Sequence, residues 1–127
     1  MKTWRAPLIA FVIDVVLVLV FVLIGRRSHG EAETVAGVFD TMWPFFVGLL
    51  LGWLVTFAWR RPLAVLWPGI PIWLMTVAVG MLLRFAAGEG TAASFIVVAT
   101  IVLGVFLIGW RLIALPITRR RVVRRAS

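Results

Sequence analysis

Long apolar runs alternate with short polar connections along this chain, and the alternation predicts four membrane-spanning helices. A helix needs about 20 residues to cross a hydrocarbon core about 30 Å thick. Four runs meet that requirement: 7–25, 43–59, 71–87 and 92–115. They leave no room for a soluble domain, so residues 1–127 form one predicted domain that ends in a basic tail over 116–127. The predicted fold class is all-α, an integral membrane four-helix bundle.

The first apolar run follows Lys2 and Arg5, as the apolar part of a secretory signal would. A signal peptide has an apolar stretch of about 7–15 residues followed by an A-x-A-like cleavage site. This run is longer, contains Asp14 and lacks such a site. We therefore expect a retained helix.

The connections also carry local signals. Residues 31–40 have apolar side chains at i, i+3 and i+4, which predicts one or two turns in the outer interface. Asp40 and Thr41 are the predicted caps of the second helix, with Pro44 in its first turn. The proline-rich segment 60–71 predicts a short, stiff loop.

Composition supports a membrane location, and charge predicts the orientation. Hydrophobic residues make up 63% of the chain and charged residues 14%, whereas soluble domains have about 25% charged residues. The net charge is +8, and nine of the thirteen basic residues are Lys2 and Arg5, Arg60 and Arg61, and the five arginines of the tail. Cytoplasmic connections carry the excess of Lys and Arg. We predict a multi-pass protein of the cell (cytoplasmic) membrane, with both termini cytoplasmic and no nucleic-acid partner.

The basic tail has two interpretations, which the sequence leaves open. Its arginines act as a stop signal that sets the topology, or they also contact anionic lipid headgroups at about 1 kcal/mol each. The residues concerned are Arg119, Arg120, Arg121, Arg124 and Arg125.

Small residues spaced four apart are candidates for close helix packing, because lipid provides no hydrophobic drive between helices. They occur in the second, third and fourth runs: Gly48, Gly52, Thr56, Thr76, Gly80, Thr100 and Gly104. The first run has no small residue between Ala10 and Gly25, so most of its surface is expected to face lipid, with the Asp14 side facing protein.

Asp14 and Arg111 are ionisable residues inside the predicted spans. Each costs roughly 2.5–3.5 kcal/mol at a helix centre, so each needs a partner or water. Both are predicted in the cytoplasmic half of the membrane, which makes an ion pair geometrically feasible. Three interpretations stay open: a lock between the first and fourth helices, a proton-accepting or cation-binding aspartate, or two unrelated side chains.

Arg84 lies near the outer end of the third run, where its long side chain reaches the headgroups or joins an outer polar cluster. Such a cluster would hold an anion or pair with nearby acids, and a histidine there would titrate near neutral pH unless it is simply solvated. The candidate members are Arg26, Arg27, Ser28, His29, Glu31 and Arg84.

Several short segments resemble one family. Asp14 is followed by GRRSHGE at 25–31, and the later runs contain PFFVG at 44–48, Gly80-x-x-x-Arg84 and GWR at 109–111. Residues 8–115 together resemble the small prokaryotic multi-pass membrane family catalogued as domain of unknown function 3054. That family has no assigned activity, so the resemblance implies architecture without mechanism. It also implies that these positions matter: Asp14, Arg26, Arg27, Ser28, His29, Arg84 and Arg111.

The repertoire of catalytic groups is small, since the chain has no cysteine or tyrosine and one histidine. We expect neither an enzyme nor a metal or other cofactor. One hypothesis is a small transporter or permeation protein that works as a parallel homo-oligomer, with Asp14 as its protonatable or ion-binding group. The alternative is an accessory or assembly subunit of a larger membrane complex.

Overall fold

The computed structural model describes residues 2–28, 34–89 and 93–126, with side chains over 5–26, 34–89 and 93–117. The described chain is helical apart from its turns. Four segments, one for each long helix, are long and apolar enough to cross a membrane. This confirms the prediction of an all-α chain with four candidate membrane spans. The helices are α1 (Lys2–Ser28), α2 (Val35–Thr56), α3 (Ile70–Ala86) and α4 (Ala93–Ala126).

The beginning of α2 differs from the prediction. Thr34 is the N-cap, and its hydroxyl accepts a hydrogen bond of 3.0 Å from the Gly37 N–H. Asp40 and Pro44 therefore lie inside the helix, and the predicted cap at Asp40–Thr41 was wrong. The apolar turns expected in the interface are the first turns of α2 itself. An internal proline is tolerated in a membrane helix because neighbouring groups satisfy the freed carbonyl.

The connection between α2 and α3 is more ordered than a plain loop. Phe57, in the left-handed conformation (φ 53°, ψ 48°), ends α2 before the predicted boundary at residue 59. A short 3₁₀ turn follows at Ala58–Arg60. A wide helical turn at Val65–Gly69, interrupted by extended backbone at Trp67, then leads into α3.

The helices pack in a ring that follows chain order. α1 lies against α2 and α4, and α3 lies against α2 and α4 on the other side. We call the end that holds both termini and the α2–α3 connection the terminal end, and the opposite end the distal end. The core contains side chains from all four helices, including Val18, Phe45, Leu49, Ile72 and Leu103.

The predicted basic tail is a continuation of α4, which runs without a break from Ala93 to Ala126. At 1.5 Å per residue this helix is about 51 Å long, whereas the hydrocarbon core is about 30 Å thick. The candidate span ends at Ile117. The arginines from Arg119 to Arg125 thus follow on the same helix, and their side chains lie outside the described residues.

Candidate functional site

Asp14 lies on the one face of α1 that is turned toward the other helices. Buried positions on α1 recur every three or four residues, as expected for one face of a helix. They are Pro7, Ala10, Asp14, Val18, Phe21 and Val22. On the other side Leu8, Val12 and Val16 are exposed. An aspartate in the middle of this apolar run is thereby directed into the bundle.

Arg111 of α4 meets Asp14 in a two-pronged ion pair. One guanidinium nitrogen (Nη2) lies 2.7 Å from Oδ2 of Asp14, and the other (Nη1) lies 2.9 Å from Oδ1. Both side chains have 0% exposure. Parallel N–H···O bonds of this kind are the strongest hydrogen bonds between side chains. The structure brings together the two residues that the sequence placed at similar depth.

Two tryptophans complete the coordination of the Asp14 carboxylate. The indole N–H of Trp53 on α2 donates to Oδ2 at 2.8 Å, and that of Trp110 on α4 donates to Oδ1 at 2.8 Å. Each carboxylate oxygen therefore accepts one indole and one guanidinium hydrogen bond. We call Asp14, Trp53, Trp110 and Arg111 the Asp14 clamp.

Arg111 also connects the clamp to the chain around it. Its Nε donates to the carbonyl of Pro62 in the α2–α3 connection at 2.9 Å. Nη1 donates to the carbonyl of Leu107 at 2.9 Å. A Cβ atom built on Gly69 would lie 3.2 Å from Cδ of Arg111, so a glycine leaves room for the arginine stem. The clamp thus joins three helices and one connection through a single buried, overall neutral charge pair.

The distal end holds the two described members of the predicted outer polar cluster. Arg26 donates through Nη1 to the Thr41 hydroxyl at 2.9 Å, and that hydroxyl donates to the Gly37 carbonyl at 3.1 Å. The guanidinium carbon of Arg84 lies 4.8 Å from the centre of the Phe95 ring. His29, Glu31 and the side chains of Arg27 and Ser28 lie outside the described residues. The grouping of this cluster stays a prediction.

Aromatic rings fill the core beneath this end. Phe45 packs edge-on against Phe21 with centroids 5.4 Å apart, and against Phe95 with centroids 6.3 Å apart. A Cβ atom built on Gly80 would lie 2.5 Å from Cδ1 of Phe45. Gly80 therefore makes space for this ring.

Two of the predicted packing residues lie where α2 and α3 approach each other most closely. A Cβ atom built on Gly48 would lie 2.8 Å from the Met75 carbonyl oxygen, and one on Gly52 would lie 3.0 Å from Cα of Ile72. Gly104 faces the ring of Trp73 instead. The three threonines among the predicted residues donate to carbonyls one turn earlier in their own helices: Thr56 to Gly52, Thr76 to Ile72 and Thr100 to Ile96.

Sequence reasoning missed the indole groups as bonding partners. The sequence assigned no partner to these indoles, yet Trp53 and Trp110 donate to Asp14, and Trp73 donates to the Thr100 carbonyl at 2.9 Å. A usable signal was present in Trp53, which lies inside an apolar run rather than at its edge. No sequence pattern indicates the Pro62 carbonyl as a partner of Arg111, because every residue has a backbone carbonyl.

The four candidate helical spans indicate an integral membrane protein. The chain belongs to the family described as Protein of unknown function (DUF3054), whose model matches residues 11–114. This match confirms the resemblance seen in the sequence. Neither a curated protein nor a solved structure matches the chain. Within the described ranges, no group of three or more His, Cys, Asp or Glu residues could hold a metal ion.

Proposed function

We propose that the protein is a non-enzymatic accessory or assembly subunit of a larger membrane complex, and that the Asp14 clamp holds its own helices together. The observation that favours this role over transport is the closure of the clamp. Each carboxylate oxygen of Asp14 accepts two N–H groups, and neither Asp14 nor Arg111 is exposed. A carboxylate bonded so completely within its own chain serves as a joint between helices.

The same geometry weighs against Asp14 as a transport group. A carboxylate that carries a proton or an ion has to exchange its protein partners for the cargo during each cycle. Here that exchange would leave the buried Arg111 charge without a partner, at a cost of roughly 3–5 kcal/mol. The accessory hypothesis needs no such exchange, and therefore ranks above transport.

Purification from the native membrane in mild detergent tests this proposal directly. The intact mass and the identity of co-purifying proteins would be determined for the wild type and for Asp40→Asn, which changes an exposed aspartate at the distal end. We expect the same defined set of different subunits with both proteins. A preparation that contains only copies of this chain would contradict the proposal.

Transport by a parallel homo-oligomer is the second candidate, and one observation favours it. α1 is bonded to α4 through the clamp, so opening the ion pair would release the Asp14 carboxylate for cargo. Buried charges in membrane helices are also costly to retain without a use. Proteoliposomes test this candidate: pH-driven flux that Asp14→Asn abolishes would support it, and flux unchanged by Asp14→Asn would exclude a role of Asp14 in transport.

For the topology we propose that both termini are cytoplasmic and that the membrane is the cell membrane. Arg5, Arg60 and Arg61 are exposed at the terminal end, whereas Asp40 and Glu89 are exposed at the distal end. This asymmetry supports the orientation because cytoplasmic connections are enriched in Lys and Arg. A fluorescent protein that matures only in the cytoplasm, fused after residue 127, should fluoresce. A dark, full-length fusion would contradict this orientation.

For the arginines of the α4 extension, from Arg119 to Arg125, we propose contact with anionic headgroups in addition to their effect on topology. The support is the continuity of α4, which places them just beyond the end of the apolar span at Ile117. The full chain inserts into vesicles through its spans, so its flotation does not report on headgroup contact by the arginines. A synthetic peptide of residues 116–127 has no span, and we expect it to bind anionic vesicles and not zwitterionic ones.

A further inference from the structure

The α2–α3 connection exposes apolar side chains beside basic residues. Phe57 is 50% exposed, Leu66 79% and Trp67 53%. Segment 57–69 contains two arginines and no acidic residue. We call the exposed side chains of this connection the terminal rim: Phe57, Trp59, Arg60, Arg61, Leu66 and Trp67.

Contacts within the terminal rim hold its rings in defined positions. The rings of Phe57 and Trp59 pack edge to face with centroids 5.3 Å apart, and the Arg60 guanidinium carbon lies 4.9 Å from the centre of the Phe57 ring. Trp67 donates its indole N–H to the Thr56 carbonyl at 3.0 Å. Its only polar side-chain atom is therefore used inside the protein, while the residue as a whole stays exposed.

The terminal rim is also anchored to the interior. Arg111 of the Asp14 clamp donates to the Pro62 carbonyl, and the Gly69 N–H donates to the Ala64 carbonyl at 3.1 Å. The connection therefore cannot move freely away from the bundle. A surface that presents apolar rings beside positive charge favours a ligand that combines an apolar body with an anionic group.

From this arrangement we propose that the terminal rim is a binding site for anionic phospholipid, distinct from the basic extension of α4. The exposed rings and Leu66 would pack against the acyl boundary, where interfacial apolar side chains insert. Arg60 and Arg61 would bind the lipid phosphate, which suits the guanidinium group. Charge complementarity supports this occupant, because no acidic side chain within segment 57–69 competes for the arginines.

Photolabelling of the full chain in lipid nanodiscs tests the proposal. Phosphatidylglycerol with a photoactivatable group near its headgroup would be compared with phosphatidylcholine carrying the same group, and labelled peptides would be mapped. We expect the anionic probe to label residues 57–67 preferentially. Arg60→Gln/Arg61→Gln should weaken binding of this probe at the terminal rim about 25-fold at low salt, since each arginine contributes about fivefold.

The control variant is Lys2→Gln/Arg5→Gln, which removes the same charge from α1 at the terminal end and should leave labelling of residues 57–67 unchanged. Equal labelling by the two lipids would overturn the proposal, and so would labelling that millimolar inorganic phosphate abolishes, because the site would then bind free phosphate. If the Arg60/Arg61 variant fails to fold, the wild-type comparison of the two lipids at low and high salt decides. Anionic labelling that is insensitive to salt would contradict the proposal.

Discussion

Two pairs of helices in this protein are held together in different ways: α2 with α3, and α1 with α4. α2 and α3 approach at backbone distance through Gly48 and Gly52. Between α1 and α4 lies the ion pair of Asp14 and Arg111, in addition to a contact between aromatic rings. Gly25, the one glycine in the apolar run of α1, has no atom within 4 Å of where a Cβ would lie, so it makes no close contact.

The difference follows from the solvent around the helices. Lipid is as apolar as leucine, so side-chain burial alone does not drive membrane helices together. Small residues let backbones approach and gain dispersion contacts, which is the arrangement of α2 with α3. The apolar run of α1 has bulky residues instead, and its polar bonds at Asp14 add to aromatic ring contacts with α2 and α4. Four predictions would break or sharpen this comparison, from the largest expected effect to the smallest.

Asp14→Asn should destabilise the protein most. Asparagine cannot accept the paired guanidinium bonds, so Arg111 would be left as a buried charge without its partner. The free energy of unfolding should fall by roughly 3–5 kcal/mol, measured by titration with a denaturing detergent from a mild-detergent solution.

Asp40→Asn is the matched control for this change, because Asp40 is exposed and should shift the free energy by at most about 0.5 kcal/mol. The double variant Asp14→Asn/Arg111→Gln should be more stable than the sum of its single changes predicts, since the two residues are in direct contact. If the effects of the two single changes simply added up, the ion pair would contribute no free energy to the contact between α1 and α4.

Trp53→Phe removes one indole hydrogen bond to Asp14 while keeping an aromatic ring. The lost bond goes to a charged acceptor, so the free energy of unfolding should fall by about 1.5–3 kcal/mol. Trp67→Phe provides the comparison, because the Trp67 indole donates to the neutral carbonyl of Thr56 and not to a charged group. Equal losses in the two variants would show that the charge of Asp14 adds nothing.

Gly48→Ala tests the other interface. The new methyl group would lie 2.8 Å from the Met75 carbonyl oxygen, which is backbone and moves only with α3. Overpacking of this kind costs about 1–3 kcal/mol. Gly109→Ala is the control, because no atom lies within 4 Å of its Cβ position. If both variants keep wild-type stability, close backbone approach does not stabilise the α2–α3 pair.

Trp73→Phe should have the smallest effect. It removes the hydrogen bond from the indole to the Thr100 carbonyl, which links α3 to α4 without any charge. A neutral hydrogen bond contributes about 0.5–1.5 kcal/mol, and the same detergent titration measures the loss. If the free energy of unfolding fell as much as in Asp14→Asn, the strongest bond to α4 would come from α3 and not from α1.

Much of this molecule was predictable because membrane helices are specified by local composition. Four apolar runs of sufficient length led to four candidate spans, and the family was recognisable from short segments such as GRRSHGE. The start of α2 was predicted wrongly, since Asp40 and Pro44 resemble an N-terminus in sequence while Thr34 supplies the actual cap. A membrane helix tolerates an internal proline that would indicate a boundary in a soluble protein.

The sequence by itself determined the class of fold, the number of candidate spans and the presence of an acid and an arginine at similar depth in α1 and α4. Only the tertiary structure decided that the Asp14 carboxylate takes two indole N–H groups as well as Arg111, and that Arg111 also binds the Pro62 carbonyl. The physical reason is that span length and hydropathy are local properties of the chain. The partners of a buried charge depend on how helices distant in sequence are rotated against one another, and no local pattern records that rotation.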